Sequence, residues 1–554
     1  MSKEAVYSIL LLVTGVSTLV LNIQLARAGE TIYIRADGSI DPSNVSIERS
    51  GDTYTFIDNI FNMSIVVQKD NIKLNGNGHM LQCFEFIDNG IDLYSRKNVT
   101  VNNILILGFS CGIFIHLSHH NKIINNTVVG AKNFGIWLDQ SSYNYLAYNT
   151  ILGTDEAVSL ERSNSNTLYG NKVMNSSQGI SLSMGTNNTL RNNVMAANKY
   201  NFFVGIHFRE YYFHDIDTSN MIDGKPIYYW INRFNETVPI DAGCVVIVNS
   251  SKIIVKNLIL QNSACIFAYT TDSLIENITV TNGYGIDLEK SDFNLITKNK
   301  VTANLGAGIA LMVSNHNIVS YNTVVNTAGC GIWLEDTNSN SVIGNHVSYS
   351  YASGFQEFVG AGILVDDSPF SKVIANNLTK NKYGIAVGAC LSSNNLIIRN
   401  NLIMNYVGLI LFEGKNNIVY HNNFLENELQ NVCTYYETRN ILDNGYPSYG
   451  NYWSDYAGID LHRGPYQNLT GSDGIGDTPY VIDSYNIDHY PLMHPWRLED
   501  VNCDGYINVL DLIVVANALG TSPSDSGWNP NADVKEDNKI NVLDLILVAN
   551  YLGK

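Results

Sequence analysis

The sequence predicts an all-β protein, a right-handed parallel β-helix with about 22 residues per coil, followed by a small α-helical domain that binds calcium. Two observations predict the β-helix. A Gly-Ile-x-Leu phrase recurs through the middle of the chain, and an Asn recurs in phase with it. A third observation, a pair of Asp-rich loops after residue 499, predicts the helical domain.

The recurring phrase sets the length of the repeat. It begins at Gly112, Gly135, Ala157 and Gly179, at intervals of 23, 22 and 22 residues, and it resumes at Gly285. This period is typical of solenoids, either leucine-rich repeats or parallel β-helices. Each unit holds short alternating runs of β-branched residues and nothing at helical spacing, which favours the β-helix. The chirality of parallel crossovers favours a right-handed coil.

Side-chain alternation along each strand divides the phrase into core and surface. Ile136 and Leu138 are predicted to point into the core, whereas Trp137 and Asp139 are predicted to lie at the surface. The outward positions of successive coils should therefore form columns on one face of the solenoid.

The Asn residues in phase with the phrase are predicted to be structural. Buried Asn side chains stacked at the same turn can pass amide hydrogen bonds from coil to coil, and Asn149 is one example. The predicted column comprises Asn103, Asn126, Asn149, Asn171, Asn193, Asn257, Asn277, Asn299, Asn322, Asn345, Asn377, Asn401 and Asn423. In the same coils, Cys244 and Cys265 could form a disulfide between neighbours.

The N terminus and the breaks in the repeat divide the chain. Lys3 precedes an apolar run over 5–25 and a small-x-small cleavage site at 26–28, which is typical of a secretory signal. We therefore expect a secreted protein, extracellular or attached to the cell surface, without a membrane span after signal removal. The predicted segments are a signal peptide at 1–28, an N-terminal cap at 29–87, the β-helix at 88–440 with an insertion at about 200–243, a C-terminal cap at 441–497 and the calcium-loop domain at 498–554.

The charge balance argues against one class of partner. The chain has 33 Lys and Arg against 51 Asp and Glu, a formal net charge of −18. Such a chain repels a phosphate backbone, and no basic patch offsets the repulsion. Nucleic acid is not an expected partner.

Two loops carry the spacing of a calcium site, with oxygen donors at alternating positions and a residue for the sharp turn at position 6. The predicted ligands of loop 1 are Asp500, Asn502, Asp504, the Tyr506 carbonyl, Asn508 and Asp511. Those of loop 2, 33 residues later, are Asp533, Asp537, the carbonyl of Lys539, Asn541 and Asp544. Loop 2 has Lys535 at position 3 and Asn538 at position 6, so it should bind calcium more weakly.

The duplicated loops resemble a type I dockerin. The resemblance implies that this domain docks onto a cohesin-type module. It also implies that positions 10 and 11 of the two loops help to choose the cohesin, and these positions are Val509, Leu510, Val542 and Leu543.

A second resemblance covers roughly residues 31 to 497. Phrases such as Gly450-Asn-Tyr-Trp-Ser-Asp-Tyr, Asp473-Gly-Ile-Gly-Asp-Thr-Pro-Tyr and Asp488-His-Tyr-Pro-Leu-Met are similar to those of NosD-like secreted β-helix proteins. That family shares its repeat type with carbohydrate-binding and sugar-hydrolase proteins, and its founding members were linked to copper delivery. Neither activity follows from the repeat itself.

The outward columns hold the candidate chemistry, because aromatic faces and acids on one surface suit a glycan site. The candidate sugar platforms are Phe114, Trp137 and Trp333, and the candidate catalytic acids are Asp139, Glu161, Glu335 and Asp366. Acids on adjacent coils suit a retaining glycosidase in spacing. A polysaccharide lyase would need a base as well, and Arg162 and Lys290 are the nearest candidates.

These patterns predict a secreted protein that binds or degrades polysaccharide and is tethered to a cohesin-bearing partner through a calcium-dependent dockerin. Whether any bond is broken stays open. One alternative is a non-catalytic surface or adhesion protein. The other is a periplasmic copper-binding accessory, for which the candidate ligands are His116, His119, His120, His207, His214, Asp215 and Asp217.

Overall fold

The structure is a computed structural model that describes residues 30–84, 88–205, 207–302, 306–351, 358–389, 391–436 and 438–553. The predicted signal peptide at 1–28 lies outside these residues. The chain divides into two compact units, residues 1–198 with 203–216, and residues 199–202 with 217–554.

Unit 1 is built from coils that each contribute one strand to each of three parallel sheets, with partners 22 to 26 residues apart in most coils. The strands of the first sheet are Glu30–Ile34, Met63–Val67, Asn89–Tyr94, Cys111–His116, Phe134–Asp139, Glu156–Glu161 and Gln178–Ser183. Those of the second are Thr53–Phe56, Lys73–Asn75, Thr100–Asn102, Lys122–Ile124, Tyr145–Ala147, Thr167–Tyr169 and Thr189–Arg191. Those of the third are Ile60–Phe61, Met80–Gln82, Leu105–Leu107, Thr127–Val129, Thr150–Leu152, Lys172–Met174 and Val194–Ala196.

Unit 2 repeats the same arrangement. The strands of its first sheet are Lys225–Ile231, Cys244–Val248, Ala264–Ala268, Gly285–Glu289, Ile309–Met312, Ile332–Glu335, Ala361–Asp366, Tyr383–Gly388, Val407–Phe412 and Gln430–Tyr435. Those of the second are Ile254–Lys256, Leu274–Glu276, Leu295–Thr297, Ile318–Ser320, Ser341–Ile343, Lys372–Ile374, Leu396–Ile398 and Ile418–Tyr420. Those of the third are Ile259–Gln261, Thr279–Thr281, Lys300–Thr302, Thr323–Val325, His346–Ser348, Asn377–Thr379, Asn401–Ile403, Asn423–Leu425 and Tyr452–Trp453. The predicted parallel β-helix is thus confirmed.

The remaining elements are short. The further strands are Ile40–Asp41, Ile47–Ser50, Tyr200–Gly205, Asp215–Ile216, Met221–Ile222, His462–Arg463, Leu469–Thr470, Tyr480–Val481 and Ile487–Asp488, and the 3₁₀ turns are Arg209–Tyr212 and Pro530–Ala532. Two α-helices, α1 (Val509–Asn517) and α2 (Val542–Ala549), follow the two loops and pack together through a small apolar core, as the sequence predicts. Neither helix of the described residues has the length needed to cross a bilayer.

The core follows the predicted alternation, with one exception. Ile136 and Leu138 are fully buried, and Trp137 is half-buried on the outer side of its strand. The prediction that Asp139 lies at the surface is wrong, since its side chain is only 9% exposed. His116 and Arg162 contact its carboxylate from the neighbouring coils and cover it.

Most of the predicted Asn column is buried and hydrogen-bonded, which confirms its structural role, but Asn103, Asn377 and Asn401 are only half-buried. The Oδ1 atom of Asn149 accepts bonds from both nitrogens of Asn126, and its Nδ2 donates to Asn171 and to the carbonyl of Ile123. The membership differs in unit 2, where Asn257 and Asn277 are exposed. The buried residues there are Asn299, Asn322, Asn345, Asn376, Asn400, Asn422 and Asn451. A second buried column, which the sequence reasoning missed, contains Asn121, Asn144, Asn166 and Asn188 in unit 1 and Asn294, Asn317, Asn340, Asn395, Asn417 and Asn440 in unit 2.

The expected disulfide between Cys244 and Cys265 does not form, and both thiols are free and buried. The register pairs Cys265 with Val245, so the two cysteines are offset by one residue. Because successive strand residues point to opposite faces, their sulfur atoms point apart. The predicted insertion at about 200–243 is also shorter than expected, because Lys225–Ile231 already pairs with Cys244–Val248 in the first sheet of unit 2.

Candidate functional site

The outer side of the first sheet of unit 1 carries two adjacent columns of side chains. Neighbouring coils are about 4.8 Å apart, so side chains in one column contact each other. The first column contains Asp92, Phe114, Trp137 and Ser159, and the second contains Tyr94, His116, Asp139 and Glu161. We call this surface the unit 1 face.

Aromatic rings form a continuous cluster on the unit 1 face. The Trp137 ring lies 4.5 Å from that of Phe134 and 4.7 Å from that of Phe114, measured between centroids. The His116 ring stacks between Phe114 and Tyr94, at 5.7 Å and 5.3 Å. Phe114 and Trp137 are half-buried, so the cluster presents a rigid apolar surface beside polar groups.

An ion-pair network adjoins the aromatic cluster. His116 Nδ1 lies 2.8 Å from Asp139 Oδ2, and Arg162 Nη2 lies 3.0 Å from Asp139 Oδ1 and 2.9 Å from Glu161 Oε1. The two acids that the sequence proposes as a pair on adjacent coils thus share one guanidinium nitrogen. A cation shared by both carboxylates does not distinguish a proton donor from a nucleophile, as the carboxyl pair of a glycosidase requires.

The structure adds a third acid, Asp92, that sequence reasoning missed. Its Oδ2 accepts a hydrogen bond from Asn89 at 2.9 Å, and its Oδ1 is buried without a hydrogen-bond partner among the described residues. Burial raises the pKa of this carboxyl, while the bond from Asn89 and the charge of His116 oppose the rise. The signal was in the sequence, because the segment from Gly90 to Leu93 is one more copy of the Gly-Ile-x-Leu phrase.

The corresponding face of unit 2 carries the candidate residues Trp333, Glu335 and Asp366. Trp333 is half-buried and packs against a cluster of Cys330, Ala361, Leu364, Ala386, Val407 and Ile410. Glu335 and Asp366 are register partners on adjacent coils, as expected, and burial and neighbouring acids raise the pKa of Asp366. Burial also raises the pKa of Asp287 to about 7, with a further contribution from Glu289. This face therefore also offers acids near aromatic rings, since the half-buried Phe412 lies 5.0 Å from Phe358 and 5.6 Å from the exposed Tyr435.

The residues present do not fit a copper site. No three His, Cys, Asp or Glu side chains of the described residues meet as metal ligands would. His214 is buried, its Nδ1 accepts from the Asn188 backbone at 3.2 Å, and its Nε2 lies 3.1 Å from the Tyr211 carbonyl. Burial lowers its pKa to about 4. His119 Nδ1 accepts from the backbone of Ser142. These imidazoles serve the fold.

Loop 1 brings Asp500, Asp504 and Asp511 close enough for their charges to interact, but among the described residues they do not meet as metal ligands would. Asp500 is buried, and its two oxygens accept from the backbone of Asp504 and Gly505. Asp511 is also buried and accepts from the backbone of Asn502 and Asn508. Burial, together with the charges of Asp511 and Asp504, raises the pKa of Asp500 to about 6. A divalent cation would relieve this repulsion, so the donor set fits calcium.

The predicted amide and carbonyl ligands of loop 1 make hydrogen bonds within the loop. Asn508 caps α1 by accepting from the Leu510 backbone, and its Nδ2 lies 3.3 Å from the Tyr506 carbonyl. Asn502 donates to Asp504 at 2.9 Å.

Loop 2 repeats this hydrogen-bonding pattern, but it has the side chain of Lys535 beside its acids. Asp533 accepts from the backbone of Asp537 and Asn538, and Asp544 accepts from Lys535 and Asn541. Lys535 Nζ lies 2.9 Å from Asp537 Oδ2. Its ammonium group pairs with the carboxylate that would otherwise bind calcium. The carbonyl of Lys539 faces Asn541, as the Tyr506 carbonyl faces Asn508 in loop 1.

The apolar side chains at positions 10 and 11 of both loops lie on the surface. Val509, Leu510, Val542 and Leu543 are all exposed, as are Ile513 and Ile546 one turn further along α1 and α2. The opposite side of the domain contacts the last coils of unit 2. There Cys503 packs in a cluster with Tyr449, Ile475 and Leu492, and Arg399 forms an ion pair with Glu536.

Comparisons with known proteins agree with this architecture. The family model of NosD, described as a periplasmic copper-binding protein, matches residues 15–230 and 355–458, more than half of the chain. The model of a right-handed β-helix region matches residues 243–390, and that of the dockerin type I domain matches residues 498–553. No protein with curated annotation matches the chain.

Several solved structures are similar to the chain at low identity and low TM-score. A mutant of the periplasmic alginate epimerase AlgG is 14% identical over 74% of this chain and 85% of that chain, with a TM-score of 0.25. DFA-IIIase from Arthrobacter chlorophenolicus A6 is 10% identical over 57% and 84%, with a TM-score of 0.25. The A-module of the mannuronan C-5 epimerase AlgE4 from Azotobacter vinelandii is 10% identical over 68% and 90%, with a TM-score of 0.23. Similarity at these scores does not indicate the function of this chain.

Proposed function

The chain belongs to the NosD family of β-helix proteins and ends in a dockerin type I domain, and from this premise we propose that it is a secreted protein that holds polysaccharide on the unit 1 face. The observation that carries the proposal is the aromatic cluster of Phe114, Phe134 and Trp137 directly beside the polar network of His116 and Asp139.

The chemistry of the face suits a sugar ring. Aromatic rings stack on the apolar side of a pyranose, and charged groups at hydrogen-bonding distance bind its hydroxyls. Arg162 is 48% exposed and contacts Asp139 and Glu161 through its Nη2 atom, which leaves its other N–H groups as donors for a ligand. The face therefore combines a fixed platform with orienting polar groups.

The C-terminal domain supports a tether. We infer that calcium bound in loops 1 and 2 stabilises the domain, and that the exposed apolar side chains of Val509, Leu510, Val542 and Leu543 bind a cohesin-type module. Exchanging Leu510 and Leu543 together for Asp should abolish cohesin capture without changing calcium affinity. Capture that survives both changes would refute this role for the apolar side chains.

The binding proposal is tested by retention of the full chain on a panel of insoluble and immobilised polysaccharides. The double variant Phe114→Ala with Trp137→Ala should lose at least about 10-fold in affinity, because each stacking contact contributes roughly 1 kcal/mol. Tyr143→Ala, which removes an exposed aromatic side chain elsewhere in unit 1, is the matched control and should bind normally. Equal affinity of the double variant and the wild type would contradict the proposal.

A further inference from the structure

We propose that the unit 1 face also cleaves its polysaccharide, with Asp92 as the proton donor, the His116–Asp139 pair as the base that activates water, and a neutral glycan as the substrate. This inference rests on the proposed function, since it places the reaction on the same surface. In this inference Asp92 and His116 replace Asp139 and Glu161, the pair of acids predicted from the sequence. The donor is then a carboxyl group and the base an imidazole.

Asp92 has the environment of a proton donor. One of its oxygens is buried without a partner among the described residues, so an anion there would lack solvation on that side. The carboxyl lies on the coil next to Phe114, in the same column as Trp137, at the edge of the aromatic platform. A carboxyl kept neutral by an apolar site is the group that can protonate a leaving oxygen.

His116 has the environment of a base. Its Nδ1 lies 2.8 Å from Asp139 Oδ2, an ion-pair contact without hydrogen-bond geometry, and Nε2, on the other side of the imidazole, is left for water. The rings of Tyr94 and Phe114 hold it from both sides. Asp139 acts through His116 and is therefore a positioning residue, and Arg162 contacts its other carboxylate oxygen.

The spacing of the donor and the base favours an inverting reaction. Asp92 and Asp139 lie two coils apart and two positions apart along the strand, about 12 Å, whereas Asp92 and His116, on adjacent coils, are about 8 Å apart. An inverting enzyme separates its donor and its base to leave room for water, whereas a retaining enzyme holds its two carboxyls about 5 Å apart. His116, on the coil between them, brings the base closer to the donor than the two carboxyls are to each other.

The charge of the face selects against acidic polymers. Asp139 and Glu161 contribute two negative charges against the single positive charge of Arg162, on a chain of net charge −18. A polyuronate would be repelled, as a phosphate backbone would. A neutral polysaccharide meets no such barrier.

The reaction balances without a cofactor. The bond from the anomeric carbon to the glycosidic oxygen breaks, and that oxygen takes the proton of Asp92. The oxygen of water bonds to the anomeric carbon from the opposite side, and its proton passes to His116 Nε2. Transfer of one proton from the imidazolium through solvent to Asp92 restores both groups, and the new reducing end has the inverted configuration.

The test incubates the full chain with soluble β-glucan, xylan and mannan, and with polygalacturonate as the acidic comparison, and measures new reducing ends. At least one neutral polymer should be cleaved, and proton NMR of the first product should show the inverted anomer. Asp92→Asn should lower the rate about 100-fold or more while retaining the polymer. The exposed Asp155→Asn is the matched control and should cleave normally.

The variant Asp139→Asn tests whether Asp139 positions His116 for catalysis or only stabilises the fold. It should lower kcat with little change in KM, and Asp139→Glu should restore part of kcat, whereas a purely structural role would lower the amount of folded protein in both variants. Retention of a neutral polymer by the wild type without any cleavage overturns the inference and leaves the binding proposal standing. A retained anomer, cleavage of polygalacturonate alone, or normal cleavage by Asp92→Asn also overturns it.

Discussion

Replacing Asn149 by Ala tests whether the buried Asn columns stabilise the solenoid. The change removes the Oδ1 atom that accepts from the backbone N–H of Asn126 at 3.0 Å, and the Nδ2 atom that donates to the Ile123 carbonyl at 2.8 Å. Both partners are buried, so bulk water does not reach the groups that lose the amide. An orphaned buried donor costs about 1 to 3 kcal/mol and a weakened carbonyl costs less, so we expect a loss of about 2 to 4 kcal/mol in the free energy of unfolding.

Urea unfolding of the full chain, followed by circular dichroism, measures this loss. Asn133→Ala is the matched control, because Asn133 is exposed and makes a single side-chain bond to Ser110 at 2.9 Å. Its cost should stay within about 0.5 kcal/mol. If the two variants unfold at the same urea concentration, the reasoning about the column is refuted.

Two further perturbations follow from the C-terminal regions. Burial raises the pKa of Asp488 to about 7, above its unfolded value of about 3.9, so the folded state binds this proton more tightly and stability should fall as pH rises between these values. Asp488→Asn should flatten the pH dependence of the unfolding midpoint, and an unchanged slope would assign the dependence to other groups. In loop 2, Lys535→Asn removes the ammonium from Asp537 and should tighten the weaker of two calcium sites in calorimetry of the full chain, while Asp511→Ala should remove the tighter one. Two equal sites in the unmodified chain would contradict this reading of the loops.

Much of the fold could be predicted because the repeat is local and regular. The period, the inward positions and the two calcium loops depend on residues close in sequence, and alternation assigned Ile136 and Leu138 to the core. Alternation fixes only the direction of a side chain, however. It could not show that Arg162 reaches back across a coil and covers Asp139.

The Asn columns show a second limit. Either member of the pairs Asn376-Asn377 and Asn400-Asn401 fits the repeat period. In the structure the first Asn of each pair is the buried one, because its side chain turns inward at the corner of the coil. Prediction of the candidate site from the sequence had the same limit. Asp92 lies in a copy of the repeated phrase, but its burial and its nearness to His116 depend on packing between coils, which one coil's sequence does not contain.

A crystal structure of the chain with an oligosaccharide of the polymer that it retains tests the central claim most directly. The account predicts a sugar ring against Phe114 and Trp137, with hydroxyls hydrogen-bonded to Asp92, His116 or Arg162. A ligand bound on unit 2, or one that leaves Trp137 uncontacted, would contradict it.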